Sequence, residues 1–378
     1  MNSPPHSETS KSRLTRVQVD LNAVAHNAAC LRTVLRGNHP PRIWATVKGD
    51  AYGHGIANVI AGLAQVDGLA VSNDAERQAC RRAGWRGPIL MLNGLASIDD
   101  VQPLHDPELH LVIHHPSQLS WLRTHSPDHP PSVWLRYVGD LNYTGMNTCT
   151  YRQAYEIAEA MRRAGQIRMV GHFNHYAQSD SVDGIRRASQ QFMKTIRGLS
   201  GPVSTSNSAA LLLHQEHSAT NDWVRPGLML YGASPLAHRA GPQLGLRPAL
   251  LLQSELISIQ TLPGNTSLGY GGAFVTPRAM PIGIVACGYV HGYPRQAGTG
   301  TPVLVNGIRT TLCGHVCMDL MAVDLTPIPH AEPGMPVTLW GTAELPAEEI
   351  ARHAGTIAAA LFTGLSANLP IHVIPIAT

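Results

Sequence analysis

Between residues 43 and 231 the chain repeats one arrangement eight times: a short strand-like run, apolar in most cases, then a polar, turn-rich or helix-patterned segment before the next run. The runs occupy 43–47, 68–72, 89–93, 109–114, 133–137, 168–173, 203–206 and 223–231. The first is apolar throughout apart from Thr46, rather than at every second position, as a strand is when both its faces are covered. Strands that alternate with helices pair in parallel, and eight of them suffice to close a barrel. Helices are predicted over 74–83, 151–164 and 184–199 and from about Ser208. A further helix is predicted after Asp20, whose carboxylate can cap the segment LNAVAHNAACLRTVL behind a strand at 14–20. The expected fold class is α/β, centred on a (β/α)8 TIM-type barrel.

From about residue 242 the texture changes. Short β-type runs at 253–259, 281–286, 301–305, 321–325 and 336–339 are punctuated by glycine and proline, with one late helix over 347–354. A chain of 378 residues exceeds one typical core. The expected organisation is a disordered extension at 1–13, a barrel domain at 14–240 and a mostly β C-terminal domain at 241–378.

The formal charge of +3 is too small and dispersed to make nucleic acid or a membrane the main partner, although a small anion fits it. The opening MNSPPHSETSKSR lacks an apolar core, and no run of about 18 apolar residues follows. A cytoplasmic location is expected. The six cysteines (Cys30, Cys80, Cys149, Cys287, Cys313, Cys317) are scattered through a chain large enough to need no staples, so free thiols are expected.

The first barrel run ends in IWATVKGDAYGHG, residues 43–55, where a single lysine is followed at once by turn-forming residues. Lys48 thus stands at the carboxyl end of a strand, where barrels build active sites, and a partly desolvated lysine there suits covalent amine chemistry. A surface lysine that merely follows a strand is the alternative on this stretch alone. Two later strand ends suit an anion: Ser206-Asn207-Ser208, with hydroxyl and backbone donors, and Arg225-Pro226-Gly227.

VKGDAYGHG resembles the VKADAYGHG motif of the pyridoxal-phosphate-dependent alanine racemase family, and RPGLMLYG, residues 225–232, resembles its RPG(I/L)xLYG motif. The resemblance runs from about residue 14 to the end and implies a fold-type III enzyme, an isomerase interconverting L- and D-alanine with pyridoxal 5'-phosphate. It assigns Lys48 to the cofactor's aldehyde, Tyr52, Ser208, Gly227 and Leu228 to its phosphate, and Arg225 to its pyridine nitrogen. Because an arginine keeps its proton, that nitrogen would stay largely unprotonated. Racemisation moves a proton off one face of a carbon and returns one to the other, which requires two acid–base groups. The resemblance gives these as Lys48 and Tyr289, the latter in CGYVHGYPR, similar to the family's GYxDGYxR. His175, in GHFNHYAQSD, matches the histidine of the family's THFA segment, linking the arginine and the tyrosine. CGHVCMD, residues 313–319, is similar to the xxCMD motif, in which the backbone N–H of Met318, beside Cys317, meets the substrate carboxylate. Tyr289 would enter the barrel of the other subunit, so a homodimer with a composite site is implied.

Two departures stand out. WLRYVGDLNYTGMNT, residues 134–148, puts Arg136 where the family has a carbamylated lysine, with a longer spacing to Thr144-Gly145-Met146, and Thr148 where it has an arginine; Arg136 is expected to reach inward and supply part of the missing charge. GLSANLPIHVI, residues 364–374, places Val373 where a tyrosine normally narrows the pocket, so serine or larger amino acids are alternative substrates, and a cofactor-binding protein with little activity is another reading. A decarboxylase on the same plan would want a carboxylate in place of Arg225. Strand alternation also puts Cys313, His315 and Cys317 on one face, a zinc pattern that lacks a fourth ligand, and no metal is expected.

Overall fold

The computed structural model describes residues 14–35, 39–101, 105–124 and 129–377; the extension expected at 1–13 lies outside them. The chain forms two compact units. Among the described residues, one comprises Leu21–Arg247 with Ile376 and Ala377; the other comprises Leu14–Asp20 together with Pro248–Pro375.

The strand read at 14–20 is β1 (Arg16–Asp20). It pairs with strands of the second unit, so these residues belong to that sheet and not to the barrel. In the first unit β2 (Arg42–Thr46), β3 (Gly68–Val71), β4 (Ile89–Met91), β5 (Leu109–Ile113), β6 (Ser132–Arg136), β7 (Met169–Phe173), β8 (Val203–Asn207) and β9 (Trp223–Arg225) close a parallel barrel, as expected. Its interior is filled by Trp44, Ala70, Leu90, Val112, Trp134, Phe173 and Trp223. Bulk is offset by absence of bulk. Gly68 pairs in register with Trp44 and Gly171 with Trp134, and a Cβ on either glycine would lie 2.2 or 2.6 Å from the neighbouring indole. Trp44 and Trp223 stack with ring centres 3.9 Å apart.

Helices enter from asparagine caps. Asn73 accepts from Glu76 N–H at 3.0 Å to start Asp74–Arg82, Asn147 from Thr150 N–H at 3.0 Å to start Thr148–Arg163, and Asn207 from Ala210 N–H at 3.0 Å to start Ser208–Leu213. The cap at Asn147 starts its helix three residues before the expected boundary. The last expected strand stops at Arg225, because Pro226 and Gly227 break the ladder and Leu228–Tyr231 turn as a 3-10 helix.

The second unit is a β assembly built on β10 (Leu250–Leu262). Its further strands are β11 (Ser267–Leu268), β12 (Phe274–Val275), β13 (Met280–Val285), β14 (Pro302–Val305), β15 (Ile308–Thr311), β16 (Met321–Asp324), β17 (Pro336–Trp340) and β18 (Ile371–Ile374). The first half of β10 pairs with β1 and β17, the second half with β13 after a register shift between Leu256 and Ser258, so one strand serves two ladders. Val373, where the resemblance expected a tyrosine, sits in β18 opposite Val19. The helix expected at 347–354 is Ala347–His353. All six cysteines carry free thiols. No helix among the described residues is long and apolar enough to cross a membrane.

Two histidines in the barrel wall couple this packing to pH. Trp134 Nε1 donates to His110 Nδ1 at 3.1 Å, and the Tyr151 hydroxyl meets His172 Nδ1 at 2.8 Å. Burial pulls their pKa values down to about 3 and about 4. Above pH 6.5 both are neutral in either state and contribute nothing. As the pH falls below that value the unfolded chain takes up protons that the barrel refuses, so stability declines by about 1.4 kcal/mol per pH unit for each histidine. Urea titrations at pH 7.5 and 5.5 should show that loss, and His110→Asn should flatten the slope; an unchanged slope would contradict the assignment.

Candidate functional site

A cavity of about 530 Å³ opens at the carboxyl ends of the barrel strands. Its described lining includes Lys48, Tyr52, Arg136, His175, Ser208, Arg225, Gly227 and Leu228, so eight residues expected from sequence to serve one site do share one space. Lys48 follows directly on β2 and Val47. The chain then makes a left-handed turn: Gly49, Asp50, Ala51, Tyr52 and Gly53 all have φ between 49° and 76°. Glycine accepts such angles freely, whereas each of the three other residues incurs roughly 1–2 kcal/mol. Several contacts hold the turn. Gly53 N–H donates to Gly49 O at 2.8 Å, Ile56 N–H to Asp50 Oδ1 at 2.7 Å, and Gly49 N–H to Glu76 Oε1 at 2.7 Å. Tyr52 and buried His54 both pack on Tyr231, with ring centres 5.1 and 4.5 Å away, and the Tyr231 hydroxyl donates to Thr46 O at 3.0 Å.

The electrostatics are one-sided. Arg225, 4% exposed, donates to Ser204 Oγ at 2.6 Å, Asn174 O at 2.6 Å and Thr205 O at 3.1 Å, and lies 3.9 Å over the Phe173 ring. None of these partners is a carboxylate. No Asp or Glu is among the described residues that line the cavity. Burial, with Arg136 nearby, lowers the Arg225 pKa to about 9, so it remains cationic at neutral pH. His175, its Nδ1 3.5 Å from an Arg225 nitrogen, is driven to about 3 by burial and by Arg225, Arg136 and Lys48, and is a neutral acceptor. The Lys48 side chain is reachable from the cavity, yet burial of its amine lowers its pKa. Glu76 opposes that change, and Arg136 and Arg225 add to it. Burial pushes the Tyr52 phenol up to about 12, which keeps it a donor.

On one wall Gly227 N–H donates to Ser208 Oγ at 2.9 Å, leaving the serine proton to donate elsewhere. A Cβ on Gly227 would stand 2.5 Å from the Tyr52 hydroxyl, so only glycine permits this approach. Ser206, the other serine of the anion-site reading, faces away and bonds Ser218 at 3.0 Å. Across the cavity Arg136 at the end of β6 reaches inward as expected, flanked by Phe173 and Tyr143 at 5.7 and 5.9 Å, with its buried Nε lacking a hydrogen-bond partner. Thr148, in contrast, bonds Thr195 at 2.9 Å between two helices, and Tyr143 and Thr144 line the cavity instead. Tyr143, His114, Asn93 and Phe173 were not singled out in the sequence. The longer segment after Arg136 was the one signal for Tyr143.

The remaining expected residues lie together in the second unit. Tyr289 N–H donates to Cys317 O at 3.0 Å and Val290 N–H to Met318 O at 2.8 Å, which ties the two motifs side by side. Tyr289 and Met318 are 40% and 57% exposed. Among the described residues no group of three His, Cys, Asp or Glu side chains is arranged to hold a metal ion.

Residues 19–235 match the family model described as alanine racemase, N-terminal domain, and residues 249–373 match alanine racemase, C-terminal domain. The chain belongs to the alanine racemase family. It is 40% identical over 370 residues to the alanine racemase of Bordetella petrii, covering 95% of this chain and 98% of that one. The Cupriavidus metallidurans alanine racemase is 42% identical over 366 residues, covering 95% and 98%. Among solved structures, the biosynthetic alanine racemase from Pseudomonas aeruginosa superposes with a TM-score of 0.89 at 34% identity, covering 96% of this chain and all of that one.

Alanine racemases depend on pyridoxal 5'-phosphate, and the residues present fit that group. A fully buried arginine on neutral partners, an orphaned Arg136 Nε, a hydroxyl pair and a glycine cradle describe a receptor for an anionic, planar ligand. Gly227→Ala should displace the Tyr52 hydroxyl and weaken affinity for pyridoxal 5'-phosphate by about tenfold or more, read by calorimetric titration; unchanged affinity would remove the cradle assignment.

Proposed function

We infer that this chain interconverts L- and D-alanine with pyridoxal 5'-phosphate, in a homodimer whose sites are completed across subunits. The observation that carries the reading is the cluster of Lys48, Arg225, Ser208 and Gly227 around one carboxylate-free cavity in a chain of this family. When bound, the cofactor delocalises the electron pair left on the amino acid's Cα as its proton departs.

Lys48 would hold the cofactor's aldehyde end and, once the substrate's amine has taken its place there, its freed amine, with its lowered pKa, would take the proton from one face of Cα. Tyr289 of the partner subunit would give a proton to the opposite face, and the two groups exchange roles in the reverse direction. The exposure of Tyr289, together with that of Met318, supports a role at a surface that a second copy covers. Ser208, whose Oγ accepts from the Gly227 N–H and so turns its own proton outward, binds the phosphate together with the Leu228 N–H and the Tyr52 hydroxyl, and Gly227 leaves room for that approach. Arg225 donates at the pyridine nitrogen and, pinned by Ser204, Asn174 and Thr205, retains its own proton. His175, held neutral, accepts from Arg225 and keeps its fork in place. Arg136 and the N–H of the partner subunit's Met318, which lies beside the partner's Tyr289, orient the substrate carboxylate.

Incubation with L-alanine in deuterated water should give both enantiomers with deuterium at Cα and no amine product; amine release without racemisation would exclude the reading. Lys48→Ala and Tyr289→Phe should each abolish turnover. Co-expressed, the two variants should recover about a quarter of wild-type activity, since half of randomly formed pairs are mixed and each mixed pair carries one intact site. No recovery would contradict the composite site. Arg136→Met should raise KM for alanine about tenfold to a hundredfold, the value of a charged hydrogen bond; unaltered kinetics would remove its role.

A further inference from the structure

We propose that Glu76 is a positioning residue for Lys48: its carboxylate clamps the left-handed turn that aims the lysine into the cavity and supplies negative charge to the amine. The inference rests on reading Lys48 as the reacting amine, and concerns a residue outside the cavity lining, on the helix Asp74–Arg82.

The geometry is that of a bracket. Glu76 Oε1 accepts from the N–H of Gly49, the residue next to Lys48, at 2.7 Å, and Oε2 accepts from Ser72 N–H at 2.7 Å. Gly49 begins the left-handed run after β2, and Ser72 directly follows β3. One carboxylate therefore joins the ends of two adjacent barrel strands, with both oxygens engaged by backbone donors. Its own position is fixed by the cap of Asn73 on Glu76 N–H. A glutamine can satisfy one of the two donors but presents an NH2 to the other, and an alanine leaves both without a partner.

The charge matters as much as the bracket. Apart from Glu76, the groups that act on the amine from other elements are cationic or neutral: Arg136 at the end of β6, Arg225 at the end of β9, and His175 after β7. Asp50, within the turn itself, is engaged with Ile56 N–H. Glu76 is the acidic group that opposes the lowering of the lysine by burial and by the two arginines. Without it, the amine should lose its proton at lower pH.

The chain has only three lysines, Lys11, Lys48 and Lys194, so each can be followed by mass spectrometry. Full-length protein, freed of carbonyl compounds with hydroxylamine, is pulse-labelled with a small amine-reactive anhydride across a pH series. Glu76→Gln should move the Lys48 labelling midpoint to lower pH, raising its rate several-fold at a fixed pH below the midpoint, with Lys194 unchanged. Glu76→Ala should do the same and lower the melting temperature further. If Glu76→Gln melts earlier but Lys48 titrates as in the wild type, or if the midpoint moves up, the proposal is wrong. Uptake of pyridoxal 5'-phosphate by the wild-type protein, followed by visible absorbance, is scored separately; its failure would sink the cofactor reading and leave the labelling result standing.

Discussion

Arg225 is buried at the mouth of the barrel on neutral partners alone. A buried cation without a counterion is costly, and truncating its partners would cost more. Its surroundings respond accordingly: His175 cannot protonate, and the Lys48 amine is easier to deprotonate. The cavity thus carries an unspent attraction for anions, which a phosphate ester and an amino-acid carboxylate satisfy. Ligand binding at such a site stabilises the fold by mass action.

The barrel separates stability from chemistry along its axis. Trp44, Trp134 and Trp223 fill the interior, and the paired glycines at 68 and 171 keep the strands at packing distance despite those indoles. At the carboxyl end the backbone departs from its preferred angles, in the five-residue left-handed run that follows Lys48. Strain of this kind persists only where the surroundings over-determine it. Here Glu76, Asp50 and the Tyr52, His54 and Tyr231 rings do so.

The barrel was legible because strand-like runs, most of them apolar as strands covered on both faces are, alternate with helical segments, and the site because Lys48 and Ser208 stand where such runs end and Arg225 beside a Pro-Gly break. The grouping of β1 was not, since a lone strand before a helix carries no mark of which sheet it will join. The left-handed turn was half visible: Gly49 and Gly53 announce positive φ, whereas Asp50, Ala51 and Tyr52 adopt it only under tertiary constraint. Glu76 was invisible for the same reason. It reaches Gly49 from a helix in the next β/α unit, and no local pattern distinguishes it from any acidic residue in a first helical turn. Thr148, which the motif puts where the family has an arginine, bonds Thr195 between two helices, and Tyr143 lines the cavity, a contact that no local pattern announces apart from the longer spacing after Arg136.

A crystal structure of the full-length protein grown with pyridoxal 5'-phosphate tests the central claim most directly. The account expects the cofactor's aldehyde carbon bonded to Lys48 Nζ, its phosphate on Ser208 and Gly227, and its ring nitrogen facing Arg225. A cofactor held elsewhere, or one whose phosphate sits on Arg136 with Lys48 unmodified, would contradict it.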